Sequence, residues 1–184
     1  MTDTFSELLE VREEDMETAG QFFKKNIIFQ LRERGEKTQT DEIRHVASAM
    51  AHFALTSCSE DNLWSAPTNL NRFFERFVLP DRSFPEKDLE FLLSAATQSL
   101  FLTGFCREHF KRKYSVEWCE KIGARFYFRA GQQAEAQRDL FFRLSVSFWK
   151  WARILYFVSR DLQENQHNRL LLQIPPPSPP TIFH

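Results

Sequence analysis

The chain is 184 residues long, carries a net charge of −1, and is 42% hydrophobic and 27% charged. That is enough for one domain with a sizeable core and too apolar for a disordered chain. Twenty Phe set against 5 Gly and 8 Pro disfavour a many-stranded β fold, which needs frequent turns.

The first helix is expected to open at Thr4-Phe5-Ser6-Glu7, a capping box in which the hydroxyl and the Glu satisfy free backbone N–H groups. Its pattern runs to Arg34, and Gly35 is a natural stop, with Arg32 and Arg34 suiting the negative end of the helix dipole. Thr40 begins a second helix with Asp41 and Glu42 in its first turn, and Val46, Ala49, Met50, Phe53 and Ala54 recur at helical spacing. A loop, "SCSEDNLWSAPTN", and a short helix ended by Pro80 follow.

Ser83-Phe84-Pro85-Glu86 is a second capping box. The helix it opens is expected over 86–113 and is apolar on nearly every side from Leu89 to Phe110. Ser115 can cap the next, which contains "GARFYFRAG". As a strand that stretch gives only about five alternating residues between glycines, on the short side. As a helix it sets Cys119, Ile122, Phe126 and Ala130 on one face and Lys121, Arg125 and Arg129 on another. Gly131 is expected to end it. A last helix over 133–164 reads as mostly apolar, with a narrow stripe of Asp139, Arg143, Ser147, Lys150, Arg153 and Arg160. Residues 170–184 read as an extended, Pro-rich tail.

The expected architecture is all-α: a single-domain bundle of five to six helices over residues 1–169, with 86–113 and 133–164 as its central, mostly buried members. No stretch reads as a membrane span. Three Cys without dense spacing suit a reducing compartment, and the acidic N-terminus has no secretory pattern, so a cytoplasmic location is expected.

Several constellations could carry chemistry. Asp41, His45, Ser48 and His52 share one helix face, half of what a metal site needs, and Asp88, Glu90 or Glu108 would have to complete it. Paired Glu-x-x-His motifs are absent, so the stripe is read as polar surface and no metal or cofactor is expected. Cys106, His109 and Cys119 offer thiol and imidazole, as a zinc trio or a Cys/His nucleophile pair, but no CxxC pair supports them. Arg107, Lys111, Arg112, Lys121, Arg125 and Arg129, with Tyr114 and Trp118 among them, could grip phosphates and stack bases. The first half of the chain is acidic and the second basic, so the halves attract each other or the basic half meets an acidic partner.

Ala124, Tyr127, Gly131, Ala136 and Leu140 sit at offsets that resemble a tetratricopeptide motif over about 25 residues. Arg143 and Glu120 depart from that pattern and no second copy follows, which leaves a close-packed αα-hairpin. Arg160 to His167 is similar to the Arg-x(4–6)-His motif of HEPN-type ribonucleases. That resemblance implies Arg160 stabilising phosphate charge and His167 moving a proton, usually across a dimer. The function expected is that of a non-enzymatic intracellular interaction or regulatory protein, with a protein partner or self-association. The alternatives are a carrier of an apolar small molecule, and a HEPN-like ribonuclease or RNA-binding protein.

Overall fold

A computed structural model describes residues 13–57 and 89–164, and every regular element among them is helical. The two capping boxes, the loop after Ser57, the helix before Pro80, His167 and the 170–184 tail lie outside the described residues.

Helix α1 spans Glu13–Glu33. Gly35 stops it at φ 62°, donating to the Arg32 carbonyl at 3.1 Å while Glu36 N–H reaches Leu31 at 2.9 Å. Glycine takes that left-handed backbone without a Cβ penalty, and two orphan carbonyls are satisfied. Ala19, Phe23, Ile27 and Leu31 recur every fourth residue and are buried. Helix α2, Thr40–Ser57, packs against them with Val46, Ala47, Met50 and Phe53.

The expected helix over 86–113 is divided. Helix α3 covers Leu89–Leu100, a π turn covers Phe101–Phe105, and α4 is the single turn Arg107–Phe110. The π turn closes where Cys106 N–H donates to the Phe101 carbonyl at 3.0 Å. Gly104 supplies a physical reason. A Cβ there would lie 2.8 Å from Leu155 Cβ and 3.0 Å from the Ala152 carbonyl oxygen, so two backbones meet at this point. Ser99 and Thr103 hydroxyls also donate to carbonyls one turn back, each at 2.8 Å, which loosens a helix. The wide turn buries four consecutive residues, Phe101 to Gly104.

Helix α5, Val116–Gln133, contains the ambiguous stretch, and Ser115 caps it by accepting from Trp118 N–H at 3.3 Å. Gly131 does not end it. A Cβ there would meet the Phe142 ring at 2.7 Å, and one at Gly123 would meet Phe148 at 2.3 Å, so both glycines admit neighbouring rings. A 3-10 turn, Glu135–Gln137, leads to α6, Arg138–Val146, and then α7, Phe148–Glu164. The expected helix over 133–164 is thus broken at Ser147, whose hydroxyl donates to the Arg143 carbonyl at 2.6 Å. Helices α5 and α6 run antiparallel: Gly131 and Phe128 meet Phe142, while the Ala124 carbonyl accepts from Ser145 at 2.7 Å. The αα-hairpin is present, although Ala136 lies exposed in its turn.

The two central strings, α3 with its π turn and α7, pack on each other. Helix α7 buries Phe148, Trp151, Ala152, Leu155 and Val158. It is amphipathic, however, and not apolar all round, because Trp149, Arg153 and Arg160 face outward. At its far end, Gln30 donates to Asp161 and accepts from Arg34, whose guanidinium lies 3.5 Å from the Phe157 ring centroid. This clasp ties α1 to α7.

Candidate functional site

Glu42, in the first turn of α2, is only 3% exposed. A carboxylate in that position needs full hydrogen bonding. It accepts from Trp151 Nε1 at 3.0 Å and from Arg143 Nε at 3.2 Å, and Arg143 also donates to Asp41. One buried charge therefore fastens α2 to both α6 and α7.

One turn on, His45 Nε2 lies 3.0 Å from the Tyr127 hydroxyl, with the imidazole edge-on to the Tyr127 and Phe141 rings. Burial pushes the His45 pKa down to about 4, so the ring is neutral at physiological pH. Burial also raises the Tyr127 hydroxyl, which keeps its proton. Above His45 opens a cleft of about 780 Å³, bordered by Asp41, Arg44 and Ser48 of α2, by residues 135–140, and by Arg143. Asp41, His45 and Ser48 from the sequence stripe thus face one space. His52 does not border it and packs on Phe53, ring centroids 5.5 Å apart.

The metal reading of that stripe does not assemble. Glu90 is exposed, Glu108 pairs with Lys111, and Asp88 lies outside the described residues. Among the described residues no three His, Cys, Asp or Glu side chains gather as a metal would require.

A smaller pocket of about 300 Å³ lies between the π turn, α4 and α7, where Cys106, His109, Arg112, Tyr156 and Arg160 meet. It brings Cys106 to His109 but leaves out Cys119, which is fully buried beside Ser99. Burial pushes both thiols up to about 12, so neither is a thiolate at neutral pH. Arg160 reaches this pocket and pairs with Glu164 at 2.8 Å, while its motif partner His167 lies outside the described residues.

The six-member basic patch is not a continuous bare surface. Arg107 pairs with Glu120 at 2.7 Å, Lys111 with Glu108 at 2.5 Å and Lys121 with Glu117 at 2.9 Å. Arg112 and Arg125 are exposed, and Arg129 is half-buried. Sequence reasoning missed the buried Glu42 and its Trp151 partner, because a first-turn acid ordinarily faces water. It also missed the cleft wall at residues 135–140, which exists only once the hairpin closes.

No protein-family model, curated protein or solved structure matches the chain. No helix among the described residues is long and apolar enough to cross a membrane.

Proposed function

We propose that this is a non-enzymatic intracellular interaction protein that holds an acidic polypeptide partner against the outer face of α7. One observation carries the reading: Trp149 is 58% exposed in a fold that packs its other described large aromatics far more fully along this helix. Arg153, Tyr156 and Arg160 follow it at i+4, i+7 and i+11, which places all four on one helix face. Arg153 is exposed and has no acid partner among the described residues. An indole set among guanidiniums suits an apolar side chain flanked by carboxylates. Cys106 and Cys119, standing as buried free thiols, favour a reducing setting. The apolar-carrier alternative finds less support, since charged and polar side chains border both clefts.

A photo-reactive phenylalanine at position 149, irradiated in the host cell, tests the reading. The expected result is an adduct with one protein through an acid-rich peptide, lost on Arg153→Glu. An adduct pattern identical to that from a probe at exposed Lys25 on α1 would refute it.

A further inference from the structure

The cleft over His45 is built on elements separate from the outer face of α7, and its floor has a defined hydrogen-bond polarity. Tyr127 is 0% exposed, and His45 Nε2 is the one partner of its hydroxyl among the described residues. A buried hydroxyl proton needs an acceptor. Tyr127 therefore donates, Nε2 accepts, and the neutral imidazole carries its own proton on Nδ1. That nitrogen lies on the far side of the ring from Tyr127. It has no hydrogen-bond partner among the described residues and is not sealed off from the cleft.

The charges around this donor divide into used and unused. Asp41 is occupied by Arg143, as is Glu42 beneath it. Arg44 on the α2 wall and Arg138 on the opposite wall have no acid partner among the described residues. Glu135 and Asp139 also border the cleft and are exposed, as the two arginines are, so charge alone favours neither sign and the donor at the floor decides. An unpaired N–H at the floor between two unpaired guanidiniums calls for an acceptor with several oxygens. Guanidinium geometry matches carboxylate and phosphate. A cation is disfavoured at the floor, since neither imidazole nitrogen offers a free lone pair there.

We propose that this cleft is a binding site for an oxyanion group, carboxylate or phosphate, of a small molecule, with His45 Nδ1–H at its floor and Arg44 and Arg138 closing on it from opposite walls. Nitrogen-15 spectra of the histidine rings test it, with His45 assigned by its disappearance in His45→Gln. At neutral pH the ring is expected as the Nδ1–H tautomer. Titration with inorganic phosphate and, separately, with succinate, each against a chloride control of equal ionic strength, is expected to shift the His45 signals saturably with at least one probe. The probe that shifts them tells phosphate from carboxylate. Arg44→Gln and Arg138→Gln, both at exposed positions, are each expected to weaken binding about tenfold, as the loss of a charge-assisted hydrogen bond does. An Nε2–H tautomer, no shift beyond chloride with either probe, or an undiminished response in the double Gln variant would overturn the proposal.

Discussion

His45 should make this protein acid-sensitive by a calculable amount. Its pKa falls from 6.5 to about 4 on folding because burial disfavours the imidazolium. Above 6.5 the ring is neutral in both states and its contribution is fully present. Between 6.5 and about 4 the unfolded chain takes up a proton that the folded chain refuses, so stability drains as pH falls, and below about 4 the loss is complete. A shift of this size amounts to about 3 kcal/mol in full and about 2 kcal/mol by about pH 5. The substitution to make is His45→Gln, whose side-chain oxygen can accept from Tyr127 but cannot titrate. Urea unfolding of both proteins at about pH 7.5 and about pH 5 isolates the effect, because the half-buried His52, whose pKa burial also lowers, is common to both. Wild type is expected to lose about 2 kcal/mol more than the variant across that interval. Equal losses, within about 0.5 kcal/mol, would refute the burial and neutrality of His45.

Arg143→Met leaves Glu42 charged, buried and held by Trp151 alone, and should cost about 3–5 kcal/mol in chemical denaturation, with Glu42→Gln added in the same chain recovering much of it. Gly104→Ala forces a methyl against Leu155 and the Ala152 backbone and should destabilise by about 1–3 kcal/mol or more, read as a lower melting temperature. Cys106 and Cys119, with thiols pushed up to about 12, should resist iodoacetamide in the folded protein and label on unfolding, as peptide mass spectrometry would report. Trp149→Ala should leave unfolding free energy within about 0.5 kcal/mol, since the side chain is more exposed than buried.

Local signals were readable in the sequence and distant ones were not. Gly35 as a stop, Ser115 as a cap and the helix through "GARFYFRAG" follow from neighbours a turn away. The breaks at Phe101–Phe105 and Ser147 do not. The first depends on Gly104 meeting Ala152 from a different helix. The second rests on a serine hydroxyl that could as readily have faced water. Gly131 misled for a related reason: it looks like a terminator, but its missing Cβ makes room for Phe142. For the cleft, helical pitch alone placed Asp41, His45 and Ser48 together. The proton on Nδ1 could not be anticipated, because it depends on Tyr127 arriving from another part of the chain.

The π turn absorbs one more residue than an α-helical turn would. Everything from Cys106 to Phe110 consequently stands one step back from where uniform winding from Leu89 would put it. A homologue one residue shorter between Phe101 and Phe105 could wind without interruption and still aim Phe110 inward. The surplus residue falls where the string changes companion: before it α3 lies mainly along α5, and at the bulge itself the chain turns its greasy side onto α7.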